Sequence, residues 1–403
     1  MIQNTNSSIN NTGMIKVKDA SSSSVGGPVP KAKEAAKKEE GNSSSPHKKF
    51  SVAKYQFPSV QQRLQYYMGD WYNRSDWTVH DSDCKVLRVS QAILDKDIML
   101  RTTDIKECID VHAKEENISK YCRDAYDAMN SALNEEYRNK NHYWVIKFGD
   151  GAMNDKSNKK TLPVITKARQ SAFIRHAPQP IVWLMNKNRH YKHLERYHDD
   201  IVKQGKEIPW SEKVPKVFWR GKSTGNRLDY LRRWISYDDN QMDIAFTGSP
   251  SLESGFKTEY VKSHYLREQK DLVEMNQYKY LLSVEGNDVA TGLKWMLYSN
   301  SVVFMSPPTV ATWAMEDLLI PFVHYIPLAN DYSNLLEMIK WASEHDALCW
   351  EISQRATEFI EHLWLSEQAK KDTQYLQKAL VTSYVDQFDG ALSRCAAGTK
   401  TKQ

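Results

Sequence analysis

The stretch Tyr278–Pro327, YKYLLSVEGNDVATGLKWMLYSNSVVFMSPPTVATWAMEDLLIPFVHYIP, restricts the fold more than any other part of the chain. Its apolar run Tyr280–Val284 has the length of a buried strand. Gly286-Asn287-Asp288 follows with the chemistry of a turn. Val289, Gly292, Leu293, Leu297 and Tyr298 then recur at helical spacing, and Ser301–Met305 is a second apolar run closed by Pro307-Pro308. Strand, tight turn, helix and strand make a βαβ unit, which builds parallel sheet. The turn lies where a strand ends and a helix begins, a place where backbone N–H groups favour an anion such as phosphate. Most such turns bind nothing. This one gathers Asn287, Asp288, Thr291, Gly292 and Lys294 in a turn and a half, more than packing needs.

The same grammar appears earlier, in KVFWRGKSTGNRLDYLRRWI, Lys216–Ile235. A strand ends at Arg220-Gly221, a polar turn follows with Lys222, Ser223 and Thr224, and a helix opens at Arg227. Two such turns in one sheet can face one ligand. Lys222, Arg227 and Lys294 offer positive charge to a diphosphate, and Ser223 and Thr224 offer hydroxyl donors. The plainer reading pairs Arg220 and Arg227 with nearby acids such as Asp229.

Short apolar runs also occur before this region. His142–Asp150, Leu162–Ala168 and Pro180–Asn186 read as strands, and Met242–Gly248 as another. Residues 55–140 read as mainly helical, with helices over Gln61–Met68 and Ser119–Tyr137. His190–Lys203, Tyr260–Asn276, Tyr332–Glu344 and Ala347–Leu365 read as further helices. Strands separated by helices in both halves predict an α/β protein of two open domains facing across a cleft. Its 403 residues exceed one ordinary core. The expected division is a Ser/Lys-rich tail over 1–50, an N-terminal domain over 51–207, a second α/β domain over 208–345 and C-terminal helices over 346–403.

The tail holds too few large apolar residues to offset the entropy of ordering. Residues near Met1 form no apolar leader, the chain has no run of 18 apolar residues, and it ends in Thr401-Lys402-Gln403. The expectation is a cytoplasmic protein with no integral membrane segment. Its 55 basic and 50 acidic residues are too evenly balanced for a nucleic-acid binder. The five cysteines are odd in number, scattered and without a CxxC pair, which reads as a reduced compartment with no zinc site. A single disulfide among Cys84, Cys108 and Cys122 stays open. Asp81-Ser82-Asp83 and Asp95-Lys96-Asp97 are DxD triplets of the kind that hold a divalent ion. Neither follows a clear strand, so both read as solvated surface. His324 reads as a buried core histidine. Asp150 ends a strand and can accept a proton from a hydroxyl, although Asp-Gly is also a common turn pair.

WRGKSTGNR, KYLLSVEG, NDVATGLKW, SNSVVF and HYIPLANDYSNL, in that order and spacing, resemble the CAP10-like, protein O-glucosyltransferase-type family, glycosyltransferase family 90. The resemblance runs through Lys216–Leu365 and more loosely through Trp144–Tyr191. It implies a GT-B-like fold, two Rossmann-type α/β domains facing across a cleft. It also implies inverting transfer of a sugar from UDP to a hydroxyl of a glycan or protein, with no metal and no cofactor. Asp150 matches the family's catalytic aspartate, Arg227 its nucleotide-contacting arginine, and Asn287–Gly292 its diphosphate loop. The expected UDP-sugar site is therefore Arg220, Lys222, Ser223, Thr224 and Arg227 with Glu285, Gly286, Asn287, Asp288, Val289, Ala290, Thr291, Gly292 and Lys294. Animal members carry arginine where Gly292 stands and serine where Lys222 stands. Lys222 or Lys294 is the replacement charge, and the donor sugar stays open between glucose and xylose. The rival expectation is a non-catalytic nucleotide- or glycan-binding module on a decayed transferase fold.

Overall fold

In this computed structural model five parallel strands form the larger sheet, in the order β11-β9-β8-β6-β7. They are β6 (Val214–Gly221), β7 (Met242–Phe246), β8 (Tyr278–Leu282), β9 (Val302–Met305) and β11 (Ile326–Pro327). The structure describes residues 55–74, 77, 98–101, 105–106, 116–132, 140–148, 162–171, 179–183, 191–235, 237, 240–248 and 265–399. A strand buried on both faces alternates its side chains between two cores. Tyr280 and Leu282 of β8 enter one core while Leu281 enters the other; Val302 and Phe304 of β9 oppose Val303 and Met305 in the same way. That double burial is why both runs read as unbroken apolar stretches.

On one face lie α4 (Arg227–Ile235) and α7 (Leu335–Glu344), which contribute Leu231, Trp234, Leu335, Met338 and Ile339. On the other lies α6 (Leu293–Tyr298), with Leu293, Trp295, Leu297 and Tyr298 buried, backed by α8 (Asp346–Ile360). The predicted helix over Tyr260–Asn276 is corrected. Among the described residues of that span, the named helix is only α5 (Leu272–Met275). Asp271 caps it in a capping box with Glu274, which sets its start late.

A smaller sheet has the order β1-β2-β3-β5: β1 (Ile98–Arg101), β2 (Tyr143–Lys147), β3 (Ile165–Thr166) and β5 (Ile181–Val182). β1 runs antiparallel at its edge, and the others are parallel. β1 is a strand where the sequence suggested mainly helix. α1 (Val60–Met68) agrees with the predicted Gln61–Met68, and α2 (Glu116–Ala132) covers the described part of the predicted Ser119–Tyr137, starting three residues earlier; Ser59 and Gln62 form a reciprocal capping box at the start of α1. A short antiparallel pair, β4 (Arg169–Gln170) with β10 (Val310–Ala311), ties the first part of the chain to the second. After α3 (Lys192–Tyr197), the chain reaches β6 through the Pro/Lys-rich joint at 208–215, so the two larger sheets draw on opposite sides of that joint. One core nevertheless runs through both, and Lys54–Gln403 form one compact unit.

The C-terminal helices complete the smaller sheet. Tyr384, at the end of α9 (Glu367–Tyr384), stacks on Trp144 with ring centroids 5.2 Å apart. Its hydroxyl accepts from the Val145 N–H at 3.0 Å and donates to Pro163 O at 3.1 Å. Just before α10 (Gly390–Thr399), Asp389 accepts from the Tyr143 N–H at 2.8 Å. Cys122 and Cys395 each take part in a disulfide, while Cys349 is free and buried. The bridge at Cys122 takes up the option the sequence left open, the one at Cys395 lies outside that option, and disulfides persist in oxidising compartments. No helix among the described residues is long and apolar enough to cross a membrane. The proposed tail lies outside the described residues.

His324 is a core residue, as its sequence context suggests. It is fully buried between Tyr55 and Phe359, and Nδ1 accepts from the Ile320 N–H at 2.9 Å. Burial, with Arg355 nearby, pulls its pKa down to about 3. The unfolded chain therefore binds a proton the folded one refuses, and this contribution to stability is lost as pH falls from about 6.5 toward 3. His324→Asn keeps an acceptor without the titration. Urea unfolding across that pH window is expected to show a shallower loss for the variant, by a few kcal/mol at most.

Candidate functional site

β6 and β8 are neighbours, yet the chain leaves them in opposite directions. From β6 it goes to β7 on one side, and from β8 to β9 on the other. Loops that diverge in this way leave a crevice at the carboxyl ends of the strands, the usual ligand position in open parallel sheets. The two polar turns singled out in the sequence flank that crevice.

They also touch. Gly225 has φ +63°, and a Cβ there would lie 2.4 Å from the Gly286 carbonyl oxygen. A Cβ on Gly286 would in turn meet Thr224 Oγ1 at 2.8 Å. Only glycine at both positions permits this approach. Arg227 clamps it. Its Nη2 donates to Val284 O at 2.8 Å and its Nε to Val284 O at 3.0 Å, while Nη1 donates to Lys222 O and Thr224 Oγ1, both at 3.2 Å. Burial lowers the Arg227 pKa, an effect opposed by Tyr332 and Asp288; the guanidinium stays charged.

The loop after β8 is held from outside. Glu285 accepts from Thr309 N–H at 2.9 Å, from Val310 N–H at 3.3 Å and from the Thr309 hydroxyl. Burial raises its pKa against these bonds. Asp288 is buried and its Oδ2 lies 2.5 Å from Nζ of Lys167, on the turn between β3 and β4, an ion-pair contact without hydrogen-bond geometry. Val289 packs with Ala168 and Val310, and Ala290 is also buried. Gly286 N–H donates to Asp288 O at 2.8 Å. The N–H groups from Asn287 to Gly292 meet no acceptor among the described residues. Asn287 is exposed at the rim, and Thr291 and Gly292 are half-buried.

Two expected cations are committed elsewhere. Lys294 is 1% exposed and sits 2.8 Å from Glu316 Oε1, itself 1% exposed. The distance is that of an ion pair, although the geometry is not that of a hydrogen bond. Glu316 also accepts from the Thr312 N–H and hydroxyl. Arg220 points to β7, where Nη2 meets Asp243 Oδ1 at 2.6 Å and Nη1 donates to Asp243 O and Trp219 O. Alternation along a strand explains Arg220, and α6 turning its Lys294 face inward explains the other. The sequence reading missed their partners Glu316 and Asp243, and it missed Lys167. Lys222 remains exposed, with no acid against it among the described residues. Ser223 is half-buried beside it.

Asp150 and both DxD triplets lie outside the described residues; β2 ends at Lys147, and Phe148 is the last described residue after it. No group of three or more potential ligands for a metal occurs among the described residues. A very small pocket of about 10 Å³ opens beside the loop, lined in part by Ser283, Glu285, Ser306, Glu316 and Tyr332. A larger cavity of about 830 Å³ lies between α3 and α9. It presents Glu195, Asp199 and Glu367 against Lys203 and Lys370, the wrong balance for a diphosphate.

The fold and the paired turns define an α/β protein whose polar, amide-lined loop stands at the switch point of a parallel sheet. The chain belongs to glycosyl transferase family 90: residues 181–386, just over half of it, match the family. It is 32% identical over 175 residues to the O-glucosyltransferase LpsA of Dichelobacter nodosus, covering 43% of this chain and 50% of that one. It is 30% identical over 164 residues to protein O-glucosyltransferase 2 of Danio rerio, covering 40% and 31%. Against protein O-glucosyltransferase 1 of Homo sapiens it is 26% identical over 172 residues, covering 42% and 43%. The chain thus spans half or less of the length of these relatives. The family match begins at β5, downstream of Asp150.

The buried Lys294–Glu316 pair yields a stability prediction. Removing one member leaves an unpaired buried charge, so Lys294→Met is expected to cost about 3–5 kcal/mol in denaturant unfolding. Adding Glu316→Gln, which keeps an acceptor for Thr312, should recover much of that loss. Equal or additive losses would contradict the pairing.

Proposed function

We propose that the chain is an inverting glycosyltransferase that moves a sugar, glucose or xylose, from UDP to a hydroxyl of a glycan or protein. The observation that carries this is the meeting of two glycine turns at the switch point, beside free loop amides, in a chain of glycosyl transferase family 90. The names of its relatives favour glucose and an oxygen acceptor.

In this reading the uridine diphosphate lies across the β6 and β8 loops. The amides of Asn287–Gly292 point dipoles at the charge that develops on the leaving diphosphate, and Lys222 adds a mobile cation. Arg227 holds the two loops at one spacing and contributes its charge from behind. Ser223 and Thr224 line the first loop. Asp150 takes the proton of the acceptor hydroxyl. The hydroxyl oxygen bonds to the anomeric carbon from the face opposite UDP, the bond to the diphosphate oxygen breaks, and configuration inverts. The two Rossmann-type halves face each other in the GT-B manner. Lys294 and Arg220 keep their internal partners and serve the scaffold. No metal step is invoked, since preorganised dipoles and Lys222 supply the counter-charge.

Release of UDP from UDP-glucose or UDP-xylose in the presence of a hydroxyl acceptor tests this reading, and failure with every UDP-sugar would overturn it. Asp150→Asn is expected to lower kcat by about 10²–10⁴-fold while UDP affinity by calorimetry holds. Wild-type turnover is expected to survive EDTA; loss restored by Mg²⁺ or Mn²⁺ would replace the metal-free mechanism.

A further inference from the structure

An anion-binding loop that carries its own carboxylate works against itself. Asp288 sits in the middle of Asn287–Gly292, and short acidic side chains readily accept from nearby backbone N–H groups. Free to turn inward, its carboxylate would occupy the same amides a diphosphate needs, and its charge would repel that ligand. In the structure it does neither. Asp288 is drawn outward to Lys167 Nζ at 2.5 Å, both residues are buried, and no loop amide donates to its carboxylate.

Lys167 comes from another part of the chain, on the turn between β3 and β4. Its position is fixed by neighbours on both sides. β4 pairs with β10, with Arg169 opposite Ala311 and Gln170 opposite Val310. Ala168 packs against Val289, next to Asp288 in the loop, and against Val310. Glu285 holds Thr309 and Val310 from the loop's other end. The lysine is therefore presented to Asp288 by a rigid frame.

We propose that Lys167 is a positioning residue that keeps the Asp288 carboxylate off the donor-loop amides and cancels its charge, leaving those amides open for the diphosphate of the donor. This rests on the donor-site reading given above. It differs from a plain anchoring role in one respect: the harm of losing Lys167 comes from Asp288, so removing the carboxylate as well should undo it.

The test is calorimetric binding of UDP to the full chain. Wild type must bind UDP; if it does not, the donor-site reading fails first. Given binding, Lys167→Met is expected to weaken UDP by about tenfold or more, the scale of a lost charge-assisted contact. Lys167→Arg, which keeps the charge, should stay near wild type. The double variant Lys167→Met with Asp288→Asn should bind within a few-fold of wild type. Should Lys167→Met fail to fold, the double variant decides alone, because Asp288→Asn removes the carboxylate that the single variant leaves buried without its lysine. Wild-type affinity in Lys167→Met, or a folded double variant that binds as weakly as the single or not at all, overturns the proposal and leaves the donor-site reading standing.

Discussion

The site depends on one close approach, that of Gly225 to the Gly286 carbonyl. It brings the loops after β6 and β8 together at the point where the chain diverges. Arg227 then becomes the clamp, its guanidinium spread over carbonyls and a hydroxyl from both loops. A guanidinium used in this way is more than a charge for a ligand. Its planar fork fixes the spacing of two backbones, which lysine could not reproduce. The glycines permit the contact, and the arginine makes it specific.

Charge in and around this region is largely neutralised. Lys294 faces Glu316, Arg220 faces Asp243 and Lys167 faces Asp288. Buried ion pairs add little net stability against well-packed apolar alternatives, but breaking one is costly. They act as locks, fixing α6, β7 and the loop after β8 in place. The field left for an anion comes from backbone amides, from Arg227 behind them and from the exposed Lys222. Such an arrangement costs little reorganisation when charge moves, which is the property that electrostatic catalysis requires.

Much of this was legible in the sequence, for physical reasons. β8 and β9 are buried on both faces, so their apolar runs are continuous and their ends sharp. Gly286 and Gly225 advertise their turns. β3 and β5 fall inside the apolar runs Leu162–Ala168 and Pro180–Asn186 that read as strands, whereas the two-residue strands β4 and β10 leave no periodicity to read and depend on each other across the sequence. Lys294 and Arg220 misled for a related reason. A basic residue beside a polar turn looks like a ligand group until its acid is known, and Glu316 and Asp243 lie 22 and 23 residues downstream. Lys167 carried no local signal, since its role is created by the β4–β10 contact. A bridge at Cys122 was an option the sequence kept open, whereas the one at Cys395 was not foreseen, because spacing alone does not report pairing.

The Trp144–Tyr384 stack and the bonds around it have a consequence for how the protein is made. Val145 N–H and the Tyr384 hydroxyl that receives it are 239 residues apart. The core of the first sheet is finished by a helix synthesised more than 200 residues after its strand β2. Until α9 arrives, β2 shows the newly made chain's surroundings the Trp144 side chain that only later becomes interior against Tyr384. Vectorial synthesis thus builds the second sheet before the first is sealed, and the nascent chain passes through a long interval in which a chaperone, or aggregation, competes for that surface.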